Sequence, residues 1–368
     1  MKFRCERDVL LEAISNAQRA TSPRPTVQVL VGIHLVLRGD SLTITGSDLD
    51  LTITTTIVVS GESDGEVVLQ GKLTADIIRS LEAGAVTVEA EAHQAHISAG
   101  RSKFDVVVIP SEEYPNFTDV DGEQITIDAR SFEEGLKQVV RAASHDETRI
   151  TLTGVLIASE DSGIRMVSTD SYRLAVRDLP SAAAVLGEGD QVLVPSRALN
   201  ELSRIIRNEE QITLVIGESD IMFETGSVTL RTKLIEEQYP AYRNLIALER
   251  SNRLIIDRLS LLDAVKRVRL MVSDSSGTAT AVRLNLDADH VELVAENPER
   301  GRASESVDAT YSGAQLTVAF NPDYLIDGLD ATPGEVIFLD TVDEERPALM
   351  GPMDDDEFRY VLMPVRVS

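Results

Sequence analysis

Few residues in this 368-residue chain are spaced for covalent chemistry. His93 and His96 (H-Q-A-H) would suit a metal only if they shared a face; three apart in a strand-turn they do not, and they are expected to face solvent. Asp48 and Asp50 would share a face if their segment is a strand, and such a pair could hold a cation or act as acid and base. No His, Ser or Cys partner is identifiable for them. A solvated face is therefore the expectation, and a carboxylate-dependent hydrolase on a repeated β-rich scaffold the competing one. Gly65–Lys72 superficially looks like a phosphate loop, but its spacing is wrong and Leu73 replaces the required hydroxyl. Asp354–Glu357 reads as a solvated loop before the last strand, and Asn116-Phe117-Thr118 is a glycosylation sequon with no meaning in a cytoplasmic protein. The single cysteine, Cys5, excludes a disulfide framework and a cysteine-rich metal site. With no nucleophile, metal cage or cofactor loop, the expectation is a protein without catalysis, cofactor or metal.

The elements that hold these residues repeat. Val167–Val176 (V-S-T-D-S-Y-R-L-A-V) reads as a hairpin, with a small polar turn of Ser168, Thr169, Asp170 and Ser171 in front of Tyr172, Arg173 and Leu174. Weaker echoes stand at Gly46–Leu51 and Ala295–Arg300, each closing a strand-like run. Apolar residues at helical spacing predict a helix from Arg7, with others beginning at Arg130 and Arg258; second helices are expected near Gly71, Pro195 and Asn321. Both sets recur about every 125 residues, far longer than a solenoid period, so each copy is a domain. The exits match as well: Glu113-Tyr114-Pro115-Asn116-Phe117 against Gln238-Tyr239-Pro240-Ala241-Tyr242. The fold class is α+β: three repeats, each two helices on antiparallel sheet, over residues 1–120, 121–247 and 248–368.

The net charge of −26, taken alone, argues against nucleic acid. Its distribution argues otherwise. Lys72 and Arg79, Lys137 and Arg141, Arg197 and Arg204, and Lys266 and Arg269 each share a helical face, whereas the last helix carries Asp323, Asp327 and Asp330. A shared basic surface of this kind would touch phosphates and read no sequence. No apolar run reaches membrane-spanning length and the N-terminus is not signal-like, so a cytoplasmic protein is expected.

Met1-Lys2-Phe3, Arg24-Pro25-Thr26, Thr169-Asp170-Ser171-Tyr172-Arg173-Leu174-Ala175, Tyr311-Ser312-Gly313-Ala314, Phe320-Asn321 and Tyr360–Arg366, set in a threefold repeat, carry a specific resemblance. Over its whole length the chain resembles the bacterial DNA sliding clamps, the beta subunits of DNA polymerase III. The resemblance implies a head-to-tail dimeric ring that encircles duplex DNA and slides. It also implies a pocket between the second and third domains for short motifs of the polymerase III catalytic subunit, the clamp loader, other polymerases and repair proteins. Carried over by position, the pocket comprises Arg149, Leu152, Thr169, Ser171, Tyr172, Arg173, Leu174, Pro240, Leu245, Asn321, Tyr324, Pro347, Val361, Met363, Pro364, Val365 and Arg366. Leu152, Leu174, Leu245, Val361 and Met363 would form its apolar socket, and Arg149 and Arg173 would offer donors to the peptide. DNA contacts would be Arg24, His145, Arg197 and Arg283, with Lys72, Arg79, Lys137 and Arg141 as electrostatic lining. The subunit interface would pair Phe104 and Val106 with Met271 and Val272. Departures from the pattern are Asn244 for Arg, Tyr172 for His, Asp146 for a neutral amide, a longer Ser273–Arg283 segment and an end at Val367-Ser368.

Overall fold

A computed structural model describes residues 1–25, 27–160, 163–180, 191–206, 209–272 and 281–366. Thr26, most of the Ser273–Arg283 segment and Val367-Ser368 lie outside the described residues. Seven α-helices are described: α1 (Arg7–Arg19), α2 (Gly71–Ser80), α3 (Ala129–Val139), α4 (Ser196–Ile205), α5 (Arg243–Ile246), α6 (Arg258–Val268) and α7 (Pro322–Ala331). Six stand where the periodicity placed them. The short α5 follows the second Tyr-Pro exit and has no apolar period long enough to announce it.

The helices start and stop for local reasons. α1 buries Leu10, Ala13, Ile14 and Ala17 on one face and ends at Ala20, before the prolines. Asp257 caps α6 by accepting from the Ser260 N–H, and Asn321 caps α7 by accepting from the Asp323 N–H, with Pro322 in the first turn.

The chain forms two compact units, Met1–Arg130 with Arg197–Leu234, and Ser131–Ser196 with Ile235–Ser368. The first holds two sheets. A five-stranded one orders Ser60–Ser63, Lys2–Glu6, Ala85–Ala90, Gln94–Ala99 and Ser102–Val107. An eight-stranded one runs Glu123–Asp128, Gln211–Ile216, Asp220–Thr225, Val228–Lys233, Leu51–Val58, Ser41–Ser47, Gly32–Arg38 and Gly65–Gln70. α1 and α2 pack together over a core that includes Phe3, Leu10, Ile14, Ile33, Leu35 and Ile78. The second unit is built on one twelve-stranded sheet. It runs Gln191–Pro195, Gly154–Glu160, Gly163–Thr169, Arg173–Leu179, Phe358–Leu362, Ala348–Pro352, Val336–Thr341, Asn252–Asp257, Gly301–Ser312, His290–Asn297, Val282–Leu286 and Leu316–Phe320.

The repeat is visible atom by atom. Asp48 Oδ1 accepts from the Asp50 and Leu51 N–H groups, Asp170 Oδ1 from Tyr172 and Arg173, and Asn297 Oδ1 from Glu299 and Arg300. In the first two copies the preceding hydroxyl, Ser47 or Thr169, accepts from the N–H two residues on. Leu49 and Ser171 both sit at φ 81°. Pro298 takes that place in the third copy, and its ring holds φ negative. The turns begin later than expected: Ser168 and Thr169 still belong to the strand. The Tyr-Pro exits dock alike, Tyr114 donating to the Thr45 carbonyl at 2.9 Å and Tyr239 to the Val167 carbonyl at 3.5 Å. Each acceptor stands three residues before the turn Asp.

Next to Tyr114, whose ring lies 4.8 Å from that of His34, burial holds the imidazole below its ordinary pKa, with Glu66 opposing weakly at 3.6 Å. A base depressed on folding takes up more protons unfolded than folded, so stability falls as pH drops from about 6.5 toward the folded value. His34→Gln is expected to flatten the pH dependence of the melting temperature between about pH 6.5 and 5. An unchanged slope would place the acid sensitivity elsewhere.

Candidate functional site

The hairpin at Asp170 opens onto a cavity in the second unit. It measures about 130 Å³ and is lined by Leu152, Thr169, Ser171, Arg173, Leu174, Pro240, Ala241, Tyr242, Leu245, Val361 and Met363. Three segments far apart in sequence meet there because the strand Phe358–Leu362 pairs antiparallel with Arg173–Leu179, setting Leu174 opposite Val361. The Met363 N–H then donates to the Tyr172 carbonyl at 2.9 Å, which carries the C-terminal segment past the turn. Leu152, Leu174 and Val361 form a buried floor and Leu245 an exposed rim. Such an apolar recess with a hydroxyl and backbone groups at its mouth suits one or two apolar side chains of an extended peptide.

Every other pocket residue expected from the sequence lies outside this lining. Arg173 is part of the lining. Its guanidinium, 7% exposed, donates to Asp170 at 3.0 Å, to Asp327, and to the Arg141 carbonyl at 2.6 Å, and stacks 4.5 Å over the Tyr324 ring. Three of its five N–H groups are thereby engaged within the chain, so much of the donor capacity expected for a peptide is committed to the fold. Arg149 donates to Asp146, to Ser144 and to the Asp170 carbonyl, so it braces the turn from outside; the Thr148 hydroxyl and N–H with Arg149 hold the Asp146 carboxyl below its usual range. The Asn321 side-chain oxygen caps its helix and the Pro347 carbonyl accepts from Arg250. Tyr172, 57% exposed, stacks with Tyr324 at 6.3 Å beside the cavity, and Pro364 follows Met363 out of it. Val365 and Arg366 line a different recess of about 520 Å³ with Arg283, Thr317, Ala319, Glu344 and Glu345. Ala241 and Tyr242 were missed, although the Tyr-Pro exit pointed to their segment.

Three family models match in succession: the N-terminal domain of the DNA polymerase III beta subunit over residues 1–118, the central domain over 126–241 and the C-terminal domain over 243–366. The chain is 32% identical to the beta sliding clamp of Streptomyces coelicolor, covering 100% of both chains. It belongs to the beta sliding clamp family. The beta sliding clamp of Bacillus subtilis is 29% identical, again over 100% of both chains. The solved structure of the DNA polymerase sliding clamp from Bacillus subtilis superposes with a TM-score of 0.93 at 28% identity over 100% of both chains. The Bartonella birtlesii sliding clamp bound to griselimycin does so with a TM-score of 0.93 at 28% identity over 100% of both chains.

The remaining positions carried over from the sliding clamps are less free than their charges suggest. Arg197 pairs with Asp48 at 2.6 Å, Arg79 with Asp76 at 2.6 Å and Lys137 with Glu133 at 2.7 Å. Arg141 reaches Asp330 at 3.8 Å, and Arg283, on a strand, reaches Glu296 at 3.7 Å. Arg24, Lys72 and His145 are exposed. Asp48 and Asp50 do not share a strand face: they sit in the turn between two strands, because Asp48 closes that turn, and Asp50 pairs with Lys233. Asp48 is engaged by Arg197 and the turn N–H groups and Asp50 by Lys233, and the hydrolase alternative finds no support. The Asp354–Glu357 loop is pinned by ion pairs from Arg177 to Asp355 and Glu357, where free solvation was expected. Of the expected interface residues, Val106 is corrected: it packs in its own core, as strand alternation from Phe104 dictates, and Val107, 75% exposed, points outward. Met271 and Val272 end the 3₁₀ turn after α6 and are half-buried.

Removing Arg173 strips partners from Asp170 and Asp327 in a buried setting. Arg173→Ala is expected to cost about 3 kcal/mol in urea melts, a global effect beyond any loss of peptide affinity. A melt superimposable on the wild type would show that the network is dispensable.

Proposed function

We propose that this chain is a non-catalytic processivity factor: a dimeric ring that encloses duplex DNA, slides without reading sequence, and tethers polymerases and the clamp loader through the cavity beside Asp170. The ring reading is carried by one observation about strand edges. The strand after the first Asp turn, Leu51–Val58, pairs with the last strand of the second repeat, Val228–Lys233. The strand after the second, Arg173–Leu179, pairs likewise with Phe358–Leu362 of the third. The strand after the third turn, Gly301–Ser312, pairs on its second side only through residues 309–312, and the last strand of the first repeat, Ser102–Val107, ends its sheet. Among the described residues, these are the acceptor and the donor of the same pairing, left open in one chain. A second copy placed head to tail satisfies both, and its partner edge closes the circle.

Val107, Met271 and Val272, with Leu270 at 69% exposure, supply the apolar contact for that interface, while Phe104 packs against its own core. The domains are taken as 1–120, 121–247 and 248–368, with each repeat lending its last strand to the one before. Lys72, Arg24 and His145 are the groups best placed to meet phosphate, and the other assigned bases exchange an intramolecular carboxylate for it. Replication of a bacterial chromosome sets the protein in the cytoplasm, and no helix among the described residues is long and apolar enough to cross a membrane. Leucine-like and aromatic side chains of partner peptides fill the cavity between Leu174, Leu245 and Val361.

Loading the protein on nicked circular DNA with a clamp loader and then cutting the circle tests enclosure. Retention is expected on the circle and loss after the cut; equal retention on both forms would mean binding by affinity. Met271→Glu with Val272→Glu is expected to give monomers, and a dimer mass in sedimentation would contradict the interface. Leu245→Asp, on the exposed rim, is expected to weaken a polymerase-derived peptide at least about tenfold in calorimetry, since about 1.4 kcal/mol of apolar contact suffices. Unchanged affinity would move the peptide elsewhere.

A further inference from the structure

The acids of α7 are arranged with a consequence for DNA contact. Asp323, Asp327 and Asp330 stand at spacings of four and three, which puts them on one helical face. Asp323 pairs with Arg269, just after α6; Asp330 takes Lys266 of α6 at 3.6 Å and Arg141, just after α3, at 3.8 Å. Asp327 lies 4.0 Å from Arg141 and holds Arg173. Arg141, Lys266 and Arg269 are each about half exposed, so solvent and ligand reach them while paired.

We propose that the acidic face of α7 is an internal stand-in for phosphate, which competes with duplex DNA for Arg141, Lys266 and Arg269 and so sets how strongly the ring grips its track. This rests on the clamp reading above. The pairs are long or solvent-exposed, hence weak and readily exchanged. A phosphate that captures one of these cations leaves a carboxylate behind, and that carboxylate recruits a cation from solution. The gain from counterion release at the DNA is thereby cancelled. Exchange between two near-equal partners leaves little net affinity per contact, which suits a ring that must slide.

Asp323→Asn with Asp330→Asn removes the acids that hold Lys266 and Arg269 and the nearer of the two beside Arg141, and leaves Asp327 on Arg173. Binding of a short linear duplex, followed by fluorescence anisotropy between 50 and 200 mM salt, is expected to tighten several-fold at the low end. The slope of log affinity against log salt should steepen by roughly 0.9 for each cation released. In the wild type Arg141→Ala should change affinity little, whereas in the doubly substituted protein it should erase much of the gain, a coupling that a structural role would not produce. Equal affinity and slope in the double variant, or an Arg141→Ala loss as large in the wild type as in the variant, overturns the proposal. Asp330→Asn alone, with melts confirming the fold, gives the same test if the pair of substitutions destabilises α7. Retention on nicked circles, measured on the same proteins, separates the two ideas. Enclosure without a change in salt slope sinks only the stand-in, and a steeper slope without enclosure sinks only the clamp reading.

Discussion

The constraint on which this structure depends is that each repeat ends in a strand whose backbone it cannot satisfy by itself. Buried N–H and C=O groups must be paired, and a free strand edge is a template waiting for a partner. Val228–Lys233 finds Leu51–Val58, and Phe358–Leu362 finds Arg173–Leu179. These two pairings turn separate layers into the eight- and twelve-stranded sheets. They also deliver the functional recess. Val361 and Met363 reach Leu174 and the Asp170 turn only because the strand that carries them is hydrogen-bonded there.

The Asp and Asn turns decide where each receiving strand begins. One carboxylate or amide oxygen holds two successive N–H groups, which fixes the turn and the register after it. In the second repeat the same motif gained further duties. Asp170 also takes the guanidinium of Arg173, which in turn holds Asp327 of the third repeat and stacks on Tyr324. Asp170, Asp327 and the Arg141 carbonyl hold Arg173 at this corner of the recess, whose lining includes the apolar Leu174, Leu245, Val361 and Met363.

Electrostatics follows a parallel logic. A chain with net charge −26 cannot offer DNA an uncompensated basic surface by composition alone, and its helical cations are mostly matched by nearby acids. Weak compensation of this kind is compatible with contact and unfavourable to arrest. Enclosure then supplies what affinity does not.

Much of this was legible in the sequence. Helix starts, hairpin turns and exits are local chemistry, set by apolar period, caps and Asp, Pro or Tyr at fixed offsets, and the recurrence of all of them gave the threefold α+β repeat without coordinates. Family resemblance placed most of the recess lining as well. What the sequence could not settle is which partner each charged or apolar group chooses once chains of contacts close. Asp48 and Asp50 alternate like strand residues, yet a side chain–backbone turn claimed them. Arg173 has the type of a ligand donor, yet packing brought Asp327 to it from more than a hundred residues away. Phe104 and Val106 share a strand face, and only the fold decided that the face looks inward. The sequence by itself determined the local elements and their repetition, because those energies act within a few residues; the tertiary structure alone decided the occupancy of each polar group and the solvent face of each strand, because both depend on segments distant along the chain.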